Sequence, residues 1–250
     1  MVRSGRVQPL AGFLVVDLSR YVPGAYAARE LRRLGARVVR VEAPDGDPLR
    51  STAPAWHAAL AADTESVVCD LRVDRALAQA LCAGADVVLE GFRPGVASRL
   101  GVGPEDLPER VVYCSIRGFG DDGPHASRAG HDLNYLGWAG ALEDTSPSLP
   151  PLQIADLAAG SFGAVTQVLA ALLTRERTGR GARIVISMTH RAHDLVEHRL
   201  GGDPRPRMLT GGLACYRIYA TADGRLLTLA ALEPRFFARF CELAERPDLP

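Results

Sequence analysis

The chain contains no lysine: all 29 of its basic residues are arginine. That absence excludes Schiff-base catalysis and the phosphate-gripping lysine of a P-loop. Cysteine is sparse, and Cys69, Cys82, Cys114, Cys215 and Cys241 include no CxxC pair. Neither a zinc knuckle nor a disulfide framework is indicated, and isolated thiols of this kind are expected as small buried apolar residues. Net charge is missing too, since 29 acidic residues balance the arginines, so no global field draws in nucleic acid or anionic lipid. The longest apolar stretch, around residues 165–173, is short against the ~20 residues that cross a bilayer. The opening MVRSGRVQPLAG lacks the apolar centre of a signal peptide. Together these absences lead to the expectation of a cytoplasmic protein with no membrane and no nucleic-acid partner.

What is present is an alternation of β-branched runs and helical stretches. FLVVDLS (13–19) is an apolar run ended by Asp and Ser. In YVPGAYAARELRRLG, Pro23 and Gly35 stand where a helix begins and stops, and ARVVRVE (36–42) is a second β-rich run. Strand, helix and strand within about 30 residues make a βαβ unit and hence a parallel sheet. The rhythm continues through SVVCDL (66–71), a helix over 74–83, DVVLE (86–90), a short helix near 95–100 and VVYCSI (111–116). A helix near 132–142, a long one over 156–177, the strand ARIVIS and a helix near 189–200 follow. The pattern predicts an α/β fold: a Rossmann-like parallel-sheet domain over residues 1–200 and a smaller α+β domain over 201–250. The small domain is reached through the Gly- and Pro-rich GGDPRPRMLTGG (201–212) and comprises a hairpin turned at Asp223-Gly224 and the helix EPRFFARFCELAE.

The dinucleotide fingerprint is missing, because SRYVPGAYA offers only Gly24 where three glycines are needed. Glu42, at the end of the second strand, is therefore read as a strand-end carboxylate before a ribose ligand. RGFGDDGPHASRAGH (117–131) packs four glycines and a proline into a long loop, the kind that carries function.

Several residues could carry chemistry, each beside a plainer role. Asp156 precedes LAAGSFGAVTQVLAALL and falls at or near a helix N-cap; the small residues after it would let a ligand approach unpaired N–H groups able to hold an oxyanion. His131 sits at a loop-to-helix junction, and an imidazole titrates where proton transfer is useful. Glu233, before Pro234, is placed as a first-turn carboxylate. Arg93 precedes a Pro-Gly turn at the end of a strand, and with Arg99 it could grip phosphate or remain a surface cation. His190, His193 and Glu197 share a helical face, read as solvated in preference to metal-binding.

EGFRPGVASRLGVG, RAGHDLNYLGWAGAL, LQIADLAAGS and TADGRLLTLAALEPRFF occur in this order. They resemble the α-methylacyl-CoA racemases within the type III CoA-transferase family, and LVVDLSRYVPGAYAARELRRLGARVVRVEAPDGDPLR fits the same family. The resemblance implies a CoA-binding large domain, a smaller second domain and an interlocked homodimer. It also implies that His131, of GHDxNY, and Asp156, of the xxAD motif, stand on opposite faces of the substrate α-carbon, with Glu233 beside the histidine. The reaction would be racemisation or epimerisation of a 2-methylacyl thioester, with no metal and with CoA present only as part of the substrate. A CoA-transferase using Asp156 as acyl acceptor is the alternative, and an inert binding or regulatory member is a third. Two departures bear on this. Ala62-Asp63-Thr64-Glu65 is acidic where the family carries basic residues and would repel a phosphate, and the chain closes at ERPDLP where the family continues.

Overall fold

Val15 and Val16, like Val87 and Val88, are fully buried although successive residues of a strand point to opposite faces. A sheet buried on both sides needs helices on both sides, and the computed structural model, which describes residues 7–143, 147–199 and 208–249, has them. The chain forms two compact units; the larger runs to Leu142 and resumes over Ser148–Leu195, and the smaller takes Glu143–Pro147 and the chain from Val196.

The larger unit is an α/β fold. Its elements are β1 (Leu14–Asp17), α1 (Val22–Arg33), β2 (Arg37–Glu42), α2 (Leu49–Thr52), α3 (Pro54–Ala61), β3 (Glu65–Val68), α4 (Arg75–Gly84), β4 (Val87–Glu90), α5 (Val96–Leu100), β5 (Val112–Arg117) and α6 (Asp132–Trp138). A helical segment of π pitch (Ala155–Phe162), α7 (Gly163–Thr178), β6 (Arg183–Ser187) and α8 (Met188–Asp194) complete it. The strands lie in the order β3-β2-β1-β4-β5-β6, every pairing parallel. On one face Val15, Leu89 and Cys114 pack with Leu31 of α1, Leu136 of α6 and Val168 of α7. On the other, Val16, Val88 and Tyr113 meet Ala78 and Cys82 of α4 and Ala97 of α5. Truncating a fully buried Leu31 in such a core costs about 2–5 kcal/mol.

The order reverses between β1 and β4, so the loops that leave their C-terminal ends diverge and open a crevice where α/β sheets bind ligands. α1 starts with Pro23 in its first turn and closes before Gly35, whose φ of 105° suits glycine.

Some elements differ from the sequence reading. α2 and α3 follow β2, where no helix is expected; they add only a satellite cluster in which Leu49 and Leu60 meet Val22 and Ala25, too small to leave a clear period. α6 stops at Trp138, and Gly140 turns the chain at φ 76°. Taken through both pitches, Ala155–Thr178 is one 24-residue helix, long and apolar enough by length and composition to cross a membrane. That corrects the estimate from residues 165–173, although Ala164, Val168 and Leu172 of this helix lie in the core of the unit. α8 ends at Asp194, and residues 200–207, which include the first part of the expected linker, lie outside the described residues.

The smaller unit holds the expected hairpin, β7 (Tyr216–Ala220) paired antiparallel with β8 (Leu226–Ala230), and α9 (Pro234–Leu243). Gly224, at φ 78°, makes the turn.

Candidate active site

A cleft of about 340 Å³ opens at the C-terminal edge of the sheet. It is walled by Ser19 to Gly24 around the start of α1, by Gly91 to Pro94 after β4 and by Ile116 to Gly118 at the end of β5. The 117–131 loop adds Ala126 and Arg128 to Gly130, and His131 and Asp156 both line it. The structure thus brings these two sequence candidates to one cavity at the reversal point of the strand order.

His131 stands at the loop-to-helix junction, as the sequence suggests, and also lines the cleft. Its backbone starts α6, its N–H donating to Asn134 Oδ1 at 3.0 Å and its carbonyl accepting the Asn134 N–H at 2.8 Å. The imidazole stays exposed on the cleft. The loop before it is held by Tyr135, whose hydroxyl donates to the Gly130 carbonyl at 2.6 Å. A side chain at Gly130 would put its Cβ 2.7 Å from the Tyr135 ring, and Gly118 is pressed against the same ring. Phe119, His125 and Trp138 clasp the loop further, the His125 and Trp138 rings lying 4.3 Å apart.

Asp156 lies near the start of its helix, as the sequence suggests, but not at the N-cap itself. The helical segment begins at Ala155, with Ile154 before it, and Asp156 is its second residue. The first N–H groups are not open to a ligand either: Asp156 N–H donates to Asp132 Oδ1 at 2.9 Å and Leu157 N–H to the Gln153 carbonyl at 2.9 Å. The oxyanion cradle expected at this helix start is therefore filled by Asp132. Burial raises the Asp156 carboxyl to about 7, and the Asp132 carboxylate adds to the rise. π pitch, common at functional sites, is sustained by fully buried Ser161, whose hydroxyl lies 2.9 Å from the Asp156 carbonyl and 2.7 Å from the Pro23 carbonyl of α1. Neither Asp132 nor Ser161 stands out in the sequence: the GHD motif carries the first, but nothing local marks its distant partner.

Five arginines stand on or near the cleft. Arg93 and Arg128 are exposed on the cleft, and among the described residues neither meets a carboxylate. Arg20 is drawn toward Asp45 at 3.2 Å. Arg117 is a strut, donating to Glu90 at 2.9 Å, to Asp121 at 2.7 Å and to the Phe92 carbonyl. Arg99 stands on α5 outside the cleft lining.

Glu42 is occupied structurally: Arg50 binds it at 2.7 and 3.0 Å and Ser66 at 2.7 Å, and the Arg50 bonds hold it near 2. The acidic 62–65 segment is also neutralised, because Arg37 takes Glu65 through two bonds of 2.7 and 2.8 Å and Arg32 takes Asp63 at 3.2 Å. Glu65 opens β3, at the end of the sheet away from the cleft. His193 Nδ1 lies 3.2 Å from the Ala139 carbonyl, and among the described residues no group of three His, Cys, Asp or Glu is disposed to hold a metal. Glu233 belongs to the smaller unit, at the N-cap position of α9.

The profile of CoA-transferase family III matches residues 10–250. The human α-methylacyl-CoA racemase is 36% identical over 248 residues, 91% of this chain and 63% of that protein. A probable fatty acyl-CoA transferase of Mycobacterium tuberculosis is 35% identical, over 100% of this chain and 72% of its own length. A crystal structure of that mycobacterial protein superposes with a TM-score of 0.82 at 34% identity, covering 98% of this chain and 70% of that one. The chain thus spans about two thirds of the length of the relatives it matches. With a parallel sheet of this topology and similarity along almost its whole length, the chain belongs to CoA-transferase family III.

Proposed function

We propose that this chain is a racemase or epimerase of 2-methylacyl-CoA, or of a related acyl thioester, acting by 1,1-proton transfer through an enolate. The observation that carries this reading is the pairing, on one cleft, of an imidazole with a carboxyl that keeps its proton up to about pH 7. A thioester α-proton is weakly acidic, so its removal needs a base on one face and a proton donor on the other. For one enantiomer, neutral His131 takes the α-proton, the C–H electron pair moves into the thioester as an enolate, and Asp156 returns its own proton to the opposite face. For the other enantiomer Asp156, ionised, is the base and the imidazolium is the acid. A carboxyl of ordinary acidity would be almost wholly ionised at neutral pH and could serve in only one direction.

Arg93 and Arg128 supply positive charge for the CoA phosphates, and Arg99 is retained as an outer phosphate contact. Glu233 is kept on the strength of the family motif, as the carboxylate that tunes the imidazole. Coenzyme A enters as part of the substrate, and the reading needs no metal. It takes the protein as a cytoplasmic homodimer, which sedimentation tests.

A second reading is favoured by one observation, that a racemase and a probable transferase match at 36% and 35% identity. In it the Asp156 carboxylate attacks the thioester carbonyl, the C–S bond breaks, and CoA thiolate leaves a mixed anhydride. The deciding experiment incubates the protein with a chiral 2-methylacyl-CoA in D₂O. α-Deuterium incorporation without CoA release supports the racemase, and an acyl group trapped from Asp156 by hydroxylamine supports the transferase. With neither signal, an inert binding member of the family becomes the better account.

A further inference from the structure

Asp132 has no part in the chemistry above, yet it is the residue through which the two halves of the cleft meet. It is the first residue of α6 and directly follows His131. Its Oδ1 accepts the Asp156 N–H at 2.9 Å, and the adjacent Ala155 N–H is near enough to favour its charged form. Asp132 is half-buried where it makes this bond. α6 has only seven residues, and a helix of two turns has little stability of its own. The position of its His131 end therefore depends on what ties it down: Tyr135 and Leu136 anchor the C-terminal half in the core, and Asp132 anchors the start.

We infer that Asp132 is a positioning residue, a clamp that binds the Asp156 N–H and so sets the separation and orientation of His131 and Asp156 across the cleft. Both groups must reach one carbon from opposite sides, and a misplacement of about 1 Å costs about a hundredfold in rate. The clamp also sets a second carboxylate against Asp156, which together with burial keeps that carboxyl protonated toward neutrality. The other ionisable groups that line the cleft with Asp156 are Arg20 and Tyr21 before α1, Arg93 after β4, Arg117 of β5, Arg128 of the loop, and His131 and Tyr135 at α6, and Arg191 of α8 packs against Gly163. Among all of these, Asp132 alone is bonded to the Asp156 backbone.

The kinetic consequence rests on the racemase reading; the clamp does not. The test compares Asp132→Asn, which keeps an acceptor oxygen and removes the charge, with Asp132→Ala, which removes both. Asp132→Ala is expected to lower kcat for α-proton exchange about a hundredfold with KM within about threefold. Asp132→Asn is expected to keep kcat within about tenfold and to move the Asp156 titration, followed by carboxyl ¹³C NMR, to lower pH by about one unit or more. An Asp156 midpoint unmoved in Asp132→Asn, or an Asp132→Ala protein with unchanged kcat, overturns the inference. If Asp132→Ala does not fold, the Asp132→Asn midpoint decides. Absence of exchange in the unmutated protein sinks the racemase reading alone, since the NMR shift is measured without substrate.

Discussion

The hydroxyl of Ser161 reaches back one π-turn to the carbonyl oxygen of Asp156, 2.9 Å away, and sits 2.7 Å from the Pro23 carbonyl at the start of α1. One buried hydroxyl thereby joins the segment that carries the candidate acid to the helix whose first turn also lines the cleft. Its single proton serves one carbonyl at a time, so the other depends on proximity alone.

Replacing this residue, Ser161→Ala, is expected to cost about 1–2 kcal/mol of stability, because the carbonyl it serves loses its donor. Urea denaturation measures it. The loss of α-proton exchange should exceed that of a core substitution matched for stability, and parity between the two would reduce Ser161 to ordinary packing.

His131→Ala should diminish exchange unequally. The enantiomer whose α-proton the imidazole removes is expected to lose about 10²- to 10⁴-fold, the range assigned to general base catalysis, and the other less. Deuterium incorporation into each enantiomer, followed separately, gives the ratio. Equal retention by both would remove His131 from the chemistry.

The raised carboxyl of Asp156 has a thermodynamic signature. Its folded value of about 7 lies above the ordinary 3.8, so between these values the folded chain holds the extra proton and stability falls as pH rises. Three units correspond to at most about 4 kcal/mol. Asp156→Asn is therefore expected to match the parent below pH ~4 and to exceed it in stability above pH ~7. Urea titrations across this range test the sign; an advantage confined to acid would contradict it.

Arg93→Ala and Arg128→Ala should each raise KM for acyl-CoA, by about tenfold at low salt, and spare a truncated acyl-pantetheine thioester that lacks the nucleotide phosphates. If the truncated thioester suffers equally, the arginines act on the acyl end or on the fold.

Much of the larger unit was legible before folding. The β-branched runs at 13–19, 36–42, 86–90 and 111–116 each became a strand, because valine and its like dominate them and helices bracket them. Gly35 and Pro23 marked the ends of α1 for the same local reason. α2 and α3 were not legible, since they bury little and leave no period. Nor was the π pitch at Asp156, which is held by Ser161 bonding to Pro23, far away in the chain.

The order of residues alone indicated the main strands and helices of the larger unit, their parallel arrangement and the family, because propensity, turn chemistry and long motifs are local properties of the chain. Folding decided that His131 and Asp156 share a cleft, that Asp132 occupies the Asp156 N–H that the sequence leaves free for a ligand, and that the acids of 62–65 are neutralised by Arg32 and Arg37. Each of these is an electrostatic or hydrogen-bonded contact between segments remote in sequence, and its energy depends on distance and burial, which spacing along a chain does not encode.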